Sequence, residues 1–309
     1  MKSPSRVRKG LLGVAAGLLL AGAAFAAEAD AAKSEKKDQT KPQEALPVGQ
    51  IVDRTNHTSY YQGKDGRARV KMTIVDEQKR KRVREFTILR WDRPGPEAKE
   101  DPKQKEQGKD KPAPQEEFCG DQKFYVYFER PADVDKMSFL VWKHLDQEDD
   151  RWLYLPALDL IKRISSADKR TSFVGSHFFY EDVSGRNVND DTHELLEGES
   201  NQTYYVLNNT PKDPKTVEFA SFKMWIHRKT FLPVQTSYYD KDGKEYRRYN
   251  ALEVKTIQGF PTVVKSRMTD LRTQGYTDLE YSEVKYDTGV PESVFAERYL
   301  RRPPLKYLR

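Results

Sequence analysis

Cysteine is almost absent from this chain of 309 residues, since Cys119 is the only one and no disulfide can form within the chain. In an oxidising compartment, the fold must therefore be held by its core alone. Cys119 lies beside a low-complexity stretch without a basic residue that the sequence places near it, which is not the setting of a reactive thiolate. Beyond the first 26 residues, no segment is long and apolar enough for a membrane-spanning helix, which takes roughly 20 residues.

Sequence motifs of catalysis are missing as well. The chain has no HExxH metal motif, no phosphate-binding P-loop and no GxSxG nucleophile elbow. Its five histidines have no spacing that enforces a shared face. The densest group of possible metal ligands is better explained as a solvated loop: His177, His193, Asp190, Asp191 and Glu194. We expect no catalytic residues, no metal and no cofactor, although a hydrolase with a hidden site stays open as a rival.

The first 26 residues have the three-part order of a secretory signal. Four basic residues precede an apolar run over 11–24, and Ala24-Phe25-Ala26 provides small residues for a signal peptidase: the basic residues are Lys2, Arg6, Arg8 and Lys9. We predict cleavage after Ala26 and export to the periplasm, with an uncleaved anchor as the alternative. Removing this segment lowers the formal net charge from +6 to +2, so the basic balance does not indicate a nucleic-acid partner.

Two charged stretches of low complexity divide the rest of the chain. Residues 27–47 are rich in Lys, Glu, Asp, Gln and Ala without apolar periodicity, which predicts a disordered tether. Residues from about 92 to 118 are rich in Pro, Lys and Glu and separate two strand-like runs. We therefore predict one domain over 48–309 with a disordered insertion inside a hairpin.

The pattern of this domain is mainly β, with short helices. A helix is predicted over 50–61, with Ile51 and Val52 as its apolar contacts, and another over 293–300. Asn208-Asn209 is one of several turn signals between the later strands, and 183–191 is predicted to be a loop or a short helix over the sheet. Even spacing of strands without long helices predicts an antiparallel meander. The predicted strands are 69–75, 84–91, 123–128, 138–143, 151–155, 158–164, 173–180, 203–207, 218–227, 233–239, 245–254, 262–271 and 277–286.

Residues 151–182 have the densest apolar and aromatic content of the domain. Trp152 and Tyr154 face one side of a predicted strand and Leu153 and Leu155 the other, because side chains alternate along a strand. A sheet that is wetted on one face needs only one apolar face. Either a second layer covers this sheet, or the sheet curls around something that is itself apolar.

The same stretch resembles the LolA-like outer-membrane lipoprotein-sorting family. The matching residues are WLYLPAL, KRISSADKRTSFVGS and FFYED, with PADV upstream at 131–134, and the similarity extends from about residue 51 to the C-terminus. His177 stands where an acidic residue is usual, and Met137-Ser138 where Gly-Thr is common. The histidine removes support for a role of an acid at this position.

The resemblance implies a curved, mostly antiparallel sheet that forms an unclosed barrel with helices on its concave side, similar to LolA and LolB. It also implies a non-catalytic periplasmic carrier that binds lipids or acylated lipoproteins in an apolar trough and passes them between the inner and outer membranes. Peripheral contact with membranes follows, and the basic run at 78–82 is either a solvated turn or a contact with anionic headgroups. The alternative is an adaptor that docks on an inner-membrane transporter, with its own side chains filling the trough. The candidate lipid-binding residues are Trp152, Tyr154, Phe173, Phe178, Met224 and Ile226. The alternative for each of them is a place in the ordinary core.

Overall fold

The computed structural model describes residues 46–93 and 120–309, and these residues lie in one unit, Leu46–Arg309. The predicted signal segment, nearly all of the predicted tether, most of the predicted insertion and Cys119 fall outside the described residues. The predictions for these segments therefore remain predictions.

Thirteen strands of the described ranges form a single sheet in which every neighbouring pair is antiparallel. The order is β6-β5-β4-β3-β2-β1-β13-β12-β11-β10-β9-β8-β7, so only the pairing of β1 with β13 joins strands that are distant in sequence. The predicted meander and the unclosed barrel are confirmed, since β6 and β7 are unpaired edges. The strands are β1 (Asp65–Val75), β2 (Lys81–Asp92), β3 (Gln122–Arg130), β4 (Ser138–Lys143), β5 (Asp150–Leu155), β6 (Leu160–Arg163), β7 (Asp191–Leu195), β8 (Tyr204–Pro211), β9 (Ser221–His227), β10 (Pro233–Tyr239), β11 (Glu245–Ile257), β12 (Phe260–Asp270) and β13 (Gly275–Tyr286).

Strand β3 shows how the two faces of the sheet are divided. Phe124, Val126 and Phe128 belong to one apolar cluster, and Tyr125 and Tyr127 belong to a second cluster on the other side. We call the face with Phe124, Val126 and Phe128 the inner face, and the opposite one the outer face. Alternation along this strand is therefore as predicted, and both faces are covered.

An aromatic cluster fills the inner face of β2, β3 and β4. The ring centroids of Phe86 and Phe128 are 5.0 Å apart, and those of Phe139 and Tyr180 are 5.3 Å apart. Phe173 lies between them, with its centroid 5.5 Å from that of Phe139. Such tilted and edge-on pairs are the arrangements that aromatic rings prefer.

The predicted strand over 173–180 is wrong. Phe173–Gly175 is a 3-10 turn, Tyr180–Ser184 is helix α2, and a single isolated bridge joins Ser172 to Phe179. Val174 has φ 50° and Gly175 φ 75°, and two consecutive left-handed residues cannot continue an extended strand. The apolar side chains of this segment reach the core from a loop instead.

Helix α1 (Val48–Tyr60) covers the inner face and confirms the helix predicted there. Ile51 and Val52 are buried, as expected, and pack against Tyr205, Leu207 and Ile226 of β8 and β9. In the described part of the chain, no helix is long and apolar enough to span a bilayer.

The C-terminal segment covers the outer face, which corrects the expectation that helices lie only on the concave side. A 3-10 turn at Glu292–Phe295, α3 (Arg298–Arg301) and α4 (Leu305–Leu308) bring Phe295, Leu300 and Leu308 into the outer cluster. The predicted helix over 293–300 is thus divided between that turn and α3.

Strand β7 was not predicted, and the Asn208-Asn209 pair lies inside β8 rather than in a turn. His193 and Asn209 are direct partners in the β7–β8 ladder, with 2.6 Å between Nδ1 and Oδ1. A strand whose polar residues pair with polar residues of the neighbouring strand lacks apolar alternation, so the sequence pattern does not predict it.

Candidate functional site

A cavity of about 430 Å³ lies between α1 and the inner face of the sheet. Phe124 of β3 and His193 of β7 both line it, so the sheet curves far enough to surround it. Pockets of roughly 300–1,000 Å³ are typical of ligand sites. Its walls are predominantly apolar, and the apolar residues include Val52, Met72, Phe86, Ile88, Val126, Leu207, Phe222, Met224, Ile226, Met268 and Leu279. We call this cavity the trough.

The C-terminal end of α1 is fastened to the sheet by side chains of β2 and β3. Arg90 donates to the carbonyl oxygens of Tyr60 at 2.6 Å and Gly63 at 2.8 Å, and Gln122 donates to the Tyr60 carbonyl at 2.8 Å. These bonds satisfy carbonyl groups that a helix end otherwise leaves unpaired. The α1 wall of the trough is thus held at this end by hydrogen bonds.

A buried ion cluster holds the segment around α2 against the edge of the trough. Glu181 is 3% exposed, and Arg170 Nη1 lies 2.5 Å from its Oε2. Arg186 and Lys169 lie 3.5 and 3.6 Å from its other oxygen. Burial alone would raise the pKa of Glu181, but the three cations outweigh it and the pKa lies below its ordinary value.

Gly185 allows the close contact between α1 and the end of α2. A Cβ atom at this position would lie 2.3 Å from the Tyr60 ring, and the residue has φ 76°. Lys143 completes the contact, since its Nζ donates to the Ser184 carbonyl at 2.8 Å and lies 4.9 Å from the centroid of the Tyr60 ring. Burial lowers the pKa of Lys143 to about 8.

The structure brings together four of the six predicted site residues. Phe173, Phe178, Met224 and Ile226 all line the trough. Ile226 is fully buried in the cluster below α1, whereas Met224 is only half-buried. Whether these four bind lipid remains a prediction.

Trp152 and Tyr154 are placed elsewhere and do not line the trough. Trp152 belongs to the outer cluster, with its ring centroid 4.8 Å from that of Trp142, and Tyr154 packs against the same cluster. Their alternation with Leu153 and Leu155 is as predicted, but the inner face carries the leucines. Because the C-terminal segment buries the outer face too, an aromatic residue on β5 does not indicate the trough.

Four tyrosines of the trough were not among the predicted site residues. Tyr60 comes from α1, Tyr238 from β10, Tyr249 from β11 and Tyr281 from β13. The tyrosines at 238, 249 and 281 lie in predicted strands, but no local pattern indicates that they share one cavity.

No group of His, Cys, Asp and Glu within 46–93 and 120–309 could hold a metal ion. His177 lies 2.8 Å from the Thr277 hydroxyl through Nδ1, and His193 contacts Asn209 and the Val188 carbonyl. Burial lowers the pKa of His177. Glu181 and Asp182 lie in α2, and both are paired with arginines. The arrangement is suited to holding an apolar molecule, and the absence of an enzymatic activity remains a prediction.

Comparisons with known proteins agree with this geometry. A family model described as an uncharacterized protein matches residues 120–302, and no curated protein matches the chain. A DUF1329 family protein from Desulfovibrio piger has a similar structure, with TM-score 0.67 and 26% identity over 83% of this chain and 100% of that one. A putative outer membrane lipoprotein-sorting protein domain from Vibrio parahaemolyticus has TM-score 0.67 and 25% identity over 82% of this chain and 97% of that one. A LolA superfamily protein from Nitrosomonas europaea shares the fold, with TM-score 0.59 and 18% identity over 82% of this chain and 100% of that one. The resemblance to the LolA-like group is confirmed.

Proposed function

This chain belongs to the family of uncharacterized proteins whose model matches residues 120–302, it has the LolA-like fold, and from that premise we propose that it is a non-catalytic lipid carrier. It binds lipid or lipoprotein acyl chains in the trough and passes them between the inner and outer membranes through the periplasm. The apolar, unfilled trough beneath α1 carries this proposal.

Elementary energetics support binding of an acyl chain. Each buried methylene contributes about 0.8 kcal/mol, so burial of about ten methylenes contributes roughly 8 kcal/mol. This is the free energy of micromolar binding, before the cost of association is subtracted. An acceptor that offers a similar apolar surface can then withdraw the chain. Binding of this strength therefore suits carriage and release.

The periplasmic location rests on the signal-like first 26 residues. The similarity to the Vibrio protein, an outer membrane lipoprotein-sorting domain by name, supports the same compartment. Lipids and acylated lipoproteins are the proposed partners.

One feature favours the alternative of an adaptor that docks on a membrane transporter. Leu158 and Leu160 are 70% and 46% exposed, and β6 is an edge strand with unpaired backbone groups. Exposed leucines beside an open edge are typical of a docking surface. An adaptor needs no lipid, however, and the unfilled trough is better explained by the carrier.

The deciding experiment is mass spectrometry of lipids extracted from the full protein, exported and purified without detergent. We expect an acylated lipid in a stoichiometric amount, and a reduced amount in Met224→Arg. Protein that carries no lipid and that binds no apolar fluorophore would instead favour the adaptor.

A further inference from the structure

Four tyrosine side chains share the wall of the trough. Tyr60 of α1, Tyr238 of β10, Tyr249 of β11 and Tyr281 of β13 all line it. The last three lie close enough to influence the ionisation of Tyr60. Each is only half-buried by surface area, because its remaining surface faces the trough. A group of hydroxyls thus lies within the predominantly apolar wall of the trough.

Most of these hydroxyls have no protein partner. Among the residues that the structure describes, no hydrogen bond is found for the hydroxyls of Tyr60, Tyr238 and Tyr281. Elsewhere in the same protein, the Tyr125 hydroxyl donates to the Tyr299 carbonyl at 2.7 Å, and the Tyr246 hydroxyl donates to Glu218 at 2.8 Å. Because these side chains face the trough, the partner left to their hydroxyls is a water or a polar atom of a ligand that occupies it.

The cluster consists of donors at any ordinary pH. Burial raises the pKa of Tyr238 and of Tyr249 to about 12 each. Burial also raises the pKa values of Tyr60 and Tyr281. All four phenols therefore stay protonated and can donate to an acceptor atom.

The charge of Asp182 acts against an anion beside Tyr60 and Tyr238, and the nearby Lys143 donates to the Ser184 carbonyl. After burial, the negative charge of Asp182 is the largest cause that raises the pKa of both Tyr60 and Tyr238. Arg247 is already paired with Asp182, and Arg170 is paired with Glu181 and Glu218. A second carboxylate near Asp182 would meet a like charge in surroundings of low dielectric constant.

We propose that the four tyrosines form a subsite for the neutral carbonyl oxygen of an ester- or amide-linked acyl group, and that free carboxylates are disfavoured there. The inference rests on the proposed function, because the hydrocarbon part of the same ligand occupies the apolar trough. Ester carbonyls come from glycerolipids and amide carbonyls from N-acylated lipoproteins, and both present the same acceptor.

The test compares the wild-type full chain with the double variant Tyr238→Phe/Tyr281→Phe. The matched control is Tyr239→Phe, because Tyr239 neighbours Tyr238 on β10 and does not line the trough. N-Phenyl-1-naphthylamine, an apolar fluorophore without a carbonyl, reports on the trough itself. Its displacement by methyl laurate, N-methyl lauramide and lauric acid at pH 8 reports on the subsite.

We expect the ester and the amide to displace the fluorophore from the wild type at lower concentration than the acid does. Loss of each hydroxyl should weaken carbonyl binding about fivefold, so the double variant should lose more than tenfold. The affinity for the fluorophore should stay within about twofold, since Tyr→Phe leaves the apolar surface in place. The melting temperature should be unchanged or higher because unpaired hydroxyls are removed. Weakening of only the ester or only the amide would support the subsite and identify its source.

Two results would overturn the inference while leaving the carrier intact. One is a double variant that binds the fluorophore and retains full affinity for both carbonyl ligands. The other is a wild type in which lauric acid binds most tightly and depends on the two hydroxyls. Failure of every ligand to bind the wild type would contradict the proposed function itself. If the double variant does not fold, the single variant Tyr281→Phe provides the same comparison.

Discussion

Replacing Met224 by arginine separates a lipid trough from an ordinary core. Met224 lies on β9 opposite Leu207 of β8 and Thr236 of β10, and its half-buried side chain lines the trough. Full burial of a methionine contributes about 1.5–3 kcal/mol, and the apolar stem of arginine replaces part of it. We expect Met224→Arg to lower the free energy of unfolding by about 1–2 kcal/mol, which corresponds to a melting temperature lower by roughly 3–8 °C.

Binding should suffer far more than stability. The guanidinium group would occupy the trough and place a charge against the acyl chain, which should weaken binding more than tenfold. Fluorescence titration with N-phenyl-1-naphthylamine measures binding, and thermal denaturation of the same preparation measures stability.

Ile226→Arg is the matched control because Ile226 is the next inward residue of the same strand and is 0% exposed. An unpaired charge at a fully buried position costs about 3–5 kcal/mol, so this variant should unfold at a much lower temperature. If Met224→Arg loses as much stability as Ile226→Arg, the wall at Met224 is closed core and the adaptor is favoured. A folded Met224→Arg protein with full affinity would show that β9 takes no part in binding.

Three further predictions concern other parts of the chain. Intact-mass analysis of the exported protein should show cleavage after Ala26, and a mass that still includes residues 1–26 would contradict this. Replacing 94–115 by a short Gly-Ser linker should leave the melting temperature nearly unchanged, and a large fall would mean that this segment packs against the domain. Burial raises the pKa of Asp92 to about 7, above its value of about 4 in the unfolded chain. The stabilisation that this carboxyl group contributes to the folded state therefore falls as the pH rises from about 4 to 7. In urea denaturation, the free energy of unfolding of Asp92→Asn minus that of the wild type should therefore rise with pH across that interval and stay constant above it. A difference that does not change with pH would refute the assignment.

Alternation of side chains was enough to predict most of the sheet. Strand β4 and strand β10 have the predicted bounds, and Phe139 and Val141 face the inner cluster while Leu140 and Trp142 face the outer one. The period of two along a strand is a local property, so the sequence contains it directly.

Local apolar content failed where the chain leaves extended geometry. The segment from Phe173 to Tyr180 is as apolar as a strand, yet Val174 and Gly175 turn it into a loop that inserts aromatic rings into the core. Propensity alone cannot identify this turn, because valine ordinarily favours strands.

Long-range packing explains the remaining errors at the site. Alternation tells which residues share a face, but the burial of Trp152 on the outer face depends on Phe295 and Leu300, far along the chain. The tyrosine cluster likewise brings Tyr60 of α1 and Tyr281 of β13 into one cavity, which no local pattern reveals.

The two faces of the sheet are covered in different ways, and the difference bears on ligand entry. On the outer face, hydrogen bonds fix the C-terminal segment along its length: Trp142 donates to the Phe295 carbonyl at 2.7 Å and Ser138 to the Leu300 carbonyl at 2.8 Å. On the inner face, Arg90 fastens the C-terminal end of α1, whereas Val52 in its N-terminal half lines the trough and packs into an apolar cluster. Apolar contacts are non-directional, so an incoming acyl chain can replace those of Val52 without leaving a polar group unpaired. Hydrogen bonds cannot be exchanged for hydrocarbon in this way. The N-terminal half of α1 is therefore the part of the wall that an acyl chain can displace at least cost.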